Sequence, residues 1–321
     1  MNFCKYPVKH FLYTLLFFSC GILAQEKAVT GSVLNEDTGE PVPFAHLILA
    51  GKTSGTSTDE NGNFHWVPGE SDEDVMVRFS CVGFKSRMLP LSVLSRARVY
   101  LEPDVEALKE VEVYLVKGTD HKNINGFSGK RSIGLGNFSG GAYPSAVAKY
   151  YEKPRNFAGN CFLENIQVRF YPAREQNNIA AVFRLRILEV TPEGKPGKDL
   201  LPDNLIVRRE PLSFKTEINL LPYHIRIPDD GFFVAVEHLF IKENAYKETR
   251  TLGINDTLTY DNVSVVKYAP VFKGVLEWDD ENFRSYYRST DGWKKMNRLD
   301  TSDPVFGNRI PVPAFKLKIT N

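Results

Sequence analysis

GSVLNEDTGEPVPFAHLILAGKTSGTSTDENGNF, Gly31 to Phe64, opens a run of short apolar segments and turn residues that closes with VYLEPDVEALKEVEV at Val113. Within it PFAHLILA (Pro43 to Ala50), NFHWV (Asn63 to Val67), VMVRFSCVGF (Val75 to Phe84), ARVYLE (Ala97 to Glu102) and EVEVYLV (Glu110 to Val116) are rich in branched and aromatic residues. Such residues fit a pleated, half-buried surface, so each segment reads as a strand. The turns Glu36-Asp37-Thr38-Gly39, Gly51-Lys52-Thr53 and Asp59-Glu60-Asn61-Gly62 separate them, and Asn61-Gly62 accepts the positive φ angles of a tight hairpin. The Asp59 turn begins like a calcium loop but lacks acidic residues at the alternate positions that follow, so turn chemistry is the reading. Short strands at this spacing predict an all-β sandwich suited to scaffolding and contact, and the run contains no cluster of catalytic groups.

Alternation returns from about Asn160 and continues to the end. FLENIQVRFYPA, NIAAVFRLRILEV, NLIVRRE, FKTEINL, YHIRIP, GFFVAVEHLFI, VSVVKYAPVF, SYYRST and AFKLKIT are strand-like, with Pro and Gly between them. Phe183, Leu185 and Ile187 fall on one face of their strand, and Arg184 and Arg186 on the other, as in a half-buried antiparallel sheet. Helical signals are confined to short stretches such as SAVAKYY, Ser145 to Tyr151. A second β-sandwich over residues 160–321 is expected, with a jelly roll as one candidate topology. Between the two, Lys117 to Tyr143 is rich in Gly, Ser and Asn, which makes 117–159 a linker or cover segment. Gly134-Leu135-Gly136 lacks the Lys-Ser/Thr and the following helix of a phosphate loop.

The N-terminus points to export. Lys5 and Lys9 precede an apolar run from Phe11 to Ala24 that is short for a membrane span and exits on a small residue, the pattern of a secretory signal peptide over residues 1–24. Cleavage after Ala24 is preferred to an uncleaved anchor. It is also preferred to lipidation at Cys20, because Phe17 and Phe18 fit a lipoprotein signal poorly. Removal of the two lysines leaves 38 basic against 39 acidic residues, and a near-neutral chain has no electrostatic case for nucleic acid. Cys81 and Cys161 remain, both inside apolar runs; one disulfide is possible, and unpaired packing is the preferred reading.

The segments GSVLNEDTGEPVPFAHLIL, GTSTDENGNF, VRFSCVGFKS and VYLEPDVEALKEVEV together resemble the carboxypeptidase regulatory-like domain, a transthyretin-like seven-stranded sandwich. They are especially similar to the form found at the N-termini of outer-membrane TonB-dependent transporters and in many secreted proteins of Gram-negative bacteria. The resemblance implies a domain over residues 25–116 and no peptidase, because the zinc ligands of carboxypeptidases belong to the neighbouring peptidase. The chain that follows is too short for a transporter barrel, so no transmembrane barrel is expected. RLRILEVTPEGKPGKDLLPDNLIV (Arg184 to Val207), INLLPYHIRIPDDGFFVAVEHL (Ile218 to Leu239) and YYRSTDGWKK (Tyr286 to Lys295) are similar to an uncharacterised C-terminal region that accompanies such domains in some secreted bacterial proteins. That likeness implies a recurring two-domain unit and supplies no reaction. With no further secretion-tag domain evident after AFKLKIT, the expected location is the periplasm or the outer-membrane surface.

Catalytic patterns are sparse. His46, His65, His121, His224 and His238 form no HExxH or HxH pair; His46 and His224 read as hydrogen-bonded strand residues, and Glu237-His238, the nearest approach to a metal motif, stands alone. Ser139 in GNFSGG misses the nucleophile-elbow spacing. Asp229-Asp230 reads as a turn, while Asp279-Asp280-Glu281 follows Trp278 and either lines a sugar cleft or sits in a solvated loop. The ligand-binding candidates are Trp278, Asp280, Tyr286, Arg288 and Trp293, since aromatic faces beside planar hydrogen-bonding groups hold carbohydrate or peptide; packing in the core is the competing role. No cofactor or metal is expected. The expectation is therefore a non-enzymatic envelope protein that binds a partner protein or glycan through the C-terminal sandwich. The alternatives are a polysaccharide hydrolase with an unrecognised carboxylate site and, below it, a surface adhesin.

Overall fold

Apolar residues fill the space between two small sheets, seven short strands in all, at the N-terminal end of the computed structural model, which describes residues 28–69, 75–104, 116–155, 160–255, 258–278 and 281–321. The signal segment and the expected strand beginning at Glu110 lie outside these residues, apart from Val116 at the strand's end. β1 (Val29–Asn35) lies between β4 (Asn63–Trp66), antiparallel, and β7 (Ala97–Leu101), parallel. The facing sheet has the order β3 (Gly55–Ser57), β2 (His46–Leu49), β5 (Met76–Ser80), β6 (Arg87–Pro90). Val33, Leu47, Leu49, Phe64, Trp66, Val77, Phe79, Val99 and Leu101 fill the space between the sheets. The Asp59 turn is the hairpin its sequence indicates: Asp59 Oδ1 accepts from the backbone N–H of Asn61 at 2.9 Å and Asn63 at 2.8 Å, and Gly62 takes φ 73°. That carboxylate is committed to the turn.

The second domain is a multi-sheet β structure. Its largest sheet has the order β13 (Pro196–Asp199), β12 (Ala181–Val190), β16 (Phe232–His238), β10 (Ala146–Tyr151), β20 (Ser285–Ser289), β21 (Gly292–Lys295), with β14 (Ile206–Arg209) also on β12. A four-stranded sheet of β15 (Lys215–Asn219), β11 (Phe162–Arg169), β23 (Lys316–Thr320) and β8 (His121–Asn125), and a three-stranded sheet of β22 (Ile310–Pro313), β19 (Phe272–Glu277) and β9 (Ser132–Leu135), pack against it. The core between them holds Val147, Phe183, Leu185, Ile187, Val234 and Val236 on one side and Ile166, Val168, Phe272, Leu317 and Ile319 on the other. β17 (Ala245–Asn255) and β18 (Leu258–Tyr268) form a separate hairpin. Among the described residues no sheet closes on itself, and no helix is long and apolar enough to cross a membrane.

Two segments fold differently from their local signals. SAVAKYY is not helical: residues Ala146–Tyr151 form the strand between β16 and β20, buried at five of six positions. Tertiary pairing on both edges overrides a weak helical preference. The glycine-rich stretch 117–159 supplies β8, β9 and β10 to the second domain. β8 and β9 need few apolar side chains because they are sheet edges, held by backbone pairing to β23 and β19. Gly129 reflects close packing rather than looseness, since a Cβ there would lie 2.4 Å from the Leu276 carbonyl oxygen. Cys81 and Cys161 are free, buried thiols, packed in the cores of different domains.

Lys149 shares the core face of β10 with Val147 and Tyr151 and is buried, its Nζ 4.9 Å from the Phe283 ring centroid and 5.2 Å from that of Tyr151. Burial lowers its pKa to about 7, against a smaller opposing pull from Glu277. The unfolded chain then holds a proton that the folded chain has released, so this group makes stability rise with pH above 7. Urea unfolding between pH 7 and 9 should show a contribution approaching about 1.4 kcal/mol per pH unit from Lys149. Lys149→Met should remove that slope and raise stability at pH 7; an unchanged slope would refute the assignment.

Candidate functional site

The large sheet is buried on both faces around β16, whose seven residues FFVAVEH are all inaccessible. Strand alternation puts Phe232, Val234, Val236 and His238 on the inner face and Phe233, Ala235 and Glu237 on the outer. Register places Glu237 opposite Arg184 of β12 and Ala146 of β10, so Arg184, Arg186 and, through β20, Arg288 share the outer face. The small Ala146 leaves room for Arg288 to reach across. Glu237 Oε2 accepts from Arg184 Nη1 at 2.7 Å, and Oε1 accepts from Arg186 Nη1 at 2.7 Å and Arg288 Nη1 at 3.0 Å.

The N-terminal domain completes this cluster. His46, on the outer face of β2, lies with Nε2 3.3 Å from Glu237 Oε2 and Nδ1 3.0 Å from Ser57 Oγ. Arg184 also donates to the Phe44 carbonyl through Nη2 and to Asn204 Oδ1 through Nε at 2.6 Å, while Asn204 Nδ2 donates to the Pro43 carbonyl at 3.1 Å. Backbone contacts extend the junction: Gly55 N–H to the Ala142 carbonyl at 2.9 Å, and Phe240 N–H to Ser57 Oγ at 3.0 Å. The outer faces of two sheets are thereby joined through polar groups, with Glu237 at the centre.

Burial by itself would raise the Glu237 carboxyl. The guanidinium of Arg186, the His46 contact and Arg184 outweigh it and hold the group well below the usual carboxylate range. Burial lowers His46 to about 4, so it is neutral at pH 7. Arg186 gives Asp199 two further bonds, at 2.8 and 2.6 Å. Burial and the repulsion of Arg186 and Arg78 lower the Arg288 pKa against the pull of Glu237.

A cleft of about 1100 Å³ opens beside the junction, walled by Cys81, Val82 and Phe84 of the first domain and by Arg186, Asp199 and Tyr223 of the second. A second of about 430 Å³ adjoins it across Arg186 and Arg288 and is bounded by Pro192, Pro196, Gly197 and Trp293. Of the residues singled out from sequence, Tyr286, Arg288 and Trp293 come together on the outer face of the β20–β21 hairpin. Tyr286 is buried against Phe233, with ring centroids 5.4 Å apart, and its hydroxyl donates to the Gly194 carbonyl, so it packs. Trp293 is half-buried, is the cross-strand partner of Arg288, and has that guanidinium 6.0 Å from its ring. Trp278 stands apart, 56% exposed after β19, beneath the Arg309 guanidinium at 4.2 Å. Asp280 and Asp279 lie outside the described residues. Asp229 pairs with Lys153 at 2.6 Å in the turn before β16. Among the described residues no three His, Cys, Asp or Glu side chains are placed to hold a metal ion. Glu237 and His238 could not act as a ligand pair, because adjacent strand positions send them to opposite faces.

The sequence reading passed over Glu237 as a hub. Its signal was an acid inside an otherwise apolar strand, FFVAVEHLF, together with Arg184 and Arg186 at alternate positions of another strand.

An all-β chain whose transthyretin-like sandwich abuts a multi-sheet domain is the class that these observations define. Residues 29–113 match the family described as CarboxypepD_reg-like domain, and the N-terminal sandwich is a domain of that family. The chain is similar to TonB-dependent receptor SusC of Bacteroides thetaiotaomicron, 36% identical over 98 residues, covering 30% of this chain and 9% of the receptor. TonB-dependent receptor P3 of Formosa agariphila is 31% identical over 100 residues, covering 31% of the chain and 10% of that receptor. The chain thus spans about a tenth of the length of these curated relatives. Among solved structures, the clostridial cysteine protease Cwp84 aligns over 93% of this chain and 66% of its own at TM-score 0.34 and 11% identity, a likeness that carries neither fold nor function across.

Glu237→Gln should leave Arg184 buried without a counter-charge and lower stability by about 3–5 kcal/mol in urea unfolding; a loss under about 1 kcal/mol would remove Glu237 from its central role. Acid should weaken the folded state in two stages. His46 and His238 are both lowered to about 4 by burial, so between pH 6.5 and 4 the unfolded chain binds protons that the folded chain refuses, and stability falls with pH. Below 4.5 the depressed Glu237 continues the loss. Calorimetry of His46→Asn should show a shallower fall of the unfolding temperature over the first interval than the natural chain.

Proposed function

We propose that the chain is a non-enzymatic cell-envelope accessory protein that recognises a partner or glycan through the outer face of its C-terminal domain, beside the junction with the N-terminal sandwich. The observation that carries this reading is the pair of adjoining clefts bordered by Arg186, Arg288 and Trp293. An aromatic ring beside a guanidinium, on a rigid hairpin, offers both apolar contact and fixed donors. The basic and apolar N-terminus and the similarity of about a third of the chain to parts of TonB-dependent receptors support an envelope setting.

The carboxylates support binding over hydrolysis. A glycosidase needs one carboxyl held protonated near neutrality, with a second about 5 to 10 Å away. Among the described residues the shifted carboxyls move down: Glu164, Glu193 and Glu217, Asp229 through its hydrogen bond to Lys153, Asp291 to about 2 through Thr290 and Lys294, and Glu237 through its guanidinium partners.

A glycan array and an envelope-protein pull-down with the natural chain, Trp278→Ala and Trp293→Ala provide the test. Trp293→Ala should weaken binding by about tenfold or more with the fold retained, consistent with loss of an aromatic anchor. Trp278→Ala should bind as the natural chain does. Uniform non-binding, or release of reducing sugar from a bound polysaccharide, would overturn the proposal.

A further inference from the structure

The junction cluster holds more positive than negative charge. Arg184, Arg186 and Arg288 face the carboxylates of Glu237 and Asp199, with His46 neutral, so three cations meet two anions. Lys198 and Glu189 border both clefts, while Asp104, Asp203, Asp229 and Arg226 line the larger one alone, so the basic surplus belongs to the smaller cleft, where Arg186, Lys198 and Arg288 face Glu189. Arg78, on β5, adds a further cation on the side of Arg288.

The unused donors reside on Arg288. Arg184 and Arg186 each have all three guanidinium nitrogens in hydrogen bonds to Glu237, Asp199, Asn204 or the Phe44 carbonyl. Arg288 donates to Glu237 through Nη1 alone, and its Nε and Nη2 meet no acceptor among the described residues. Its side chain is 31% exposed and borders both clefts, whereas Glu237 is shut away behind it. A partly enclosed guanidinium with an unused pair of donors receives a carboxylate in fork geometry. Asp291, the acid of the adjacent turn, is occupied by Thr290 at 2.7 Å and Lys294 at 3.0 Å.

We infer that the ligand of this face is an acidic glycan, with a uronate carboxylate received by the free donors of Arg288 and its sugar ring lying against Trp293. The inference rests on the proposed binding function and supplies its ligand class. Arg288 and Trp293, as cross-strand partners, set donor and flat apolar surface side by side. Pro192, Pro196 and Gly197 complete the lining of the same cleft.

Calorimetric titration of the full chain with oligogalacturonate, its methyl ester and poly-glutamate tests this. Oligogalacturonate should bind, and esterification should weaken it about tenfold or more, as loss of a charge-assisted pair requires. Arg288→Gln should cause a similar loss with the sheet structure retained in circular dichroism, and Arg288→Lys should recover part of it. Equal binding of acid and ester, or an indifferent Arg288→Gln, would overturn the inference while leaving a neutral-glycan reading intact. Poly-glutamate bound as tightly as the uronate would overturn the glycan assignment. Binding of an envelope protein with no glycan would sink the inference alone, and no ligand of either kind would sink both it and the proposed function.

Discussion

One carboxylate, buried in a sheet and held by three guanidinium groups, is the constraint on which the two-domain arrangement depends. Glu237 has almost no contact with water, and a charge so placed is tolerable only with complete pairing. Arg184 and Arg186 supply most of it from β12, Arg288 from β20, and His46 from the other domain. Each group is placed by strand alternation and register rather than by loops, so the cluster is as rigid as the sheet that carries it.

That rigidity explains how two sheets can meet through polar faces. Ordinarily an outer face is solvated and an inner face apolar. Here β2, β3 and β16 are buried on both sides, and the outer positions carry His46, Ser57 and Glu237 beside the apolar Ile48, Phe233 and Ala235. Buried ion clusters contribute little net stability compared with an apolar replacement; what they add is direction. Arg184 meets the Phe44 carbonyl, and Asn204 the Pro43 carbonyl, only when the domains are seated in one way. The clefts at the edge of the junction inherit a fixed shape from this seating.

Much of the fold was legible because strands at a solvent boundary alternate. The N-terminal β-sandwich follows from its turns and its period of two, its seven strands from the family resemblance, and the inward positions Phe183, Leu185 and Ile187 from their alternation. Misread segments were those in which long-range pairing outweighs local preference. Ala146–Tyr151 looks helical and is a central strand, while the glycine-rich segment before it looks unstructured and supplies edge strands through backbone pairing and a few core contacts at Ile124, Ile133 and Leu135. Arg184 and Arg186 were placed on the correct face, yet the nature of that face was hidden, because exposed arginine and paired buried arginine have the same pattern in sequence.

By itself the sequence determined the all-β class, the N-terminal domain and its family likeness, and the absence of familiar catalytic spacings, since these depend on periodicity and turn chemistry within a few residues. Tertiary structure alone decided which charges meet. His46, Arg184, Glu237 and Arg288 span almost the whole chain, and only antiparallel register brings them within hydrogen-bond reach. It also separated the aromatic candidates: Tyr286 is spent on packing, Trp278 stands on another sheet, and Trp293 remains beside Arg288. The physical reason is that strand propensity is local, whereas the pairing of buried charges is fixed by which strands become neighbours.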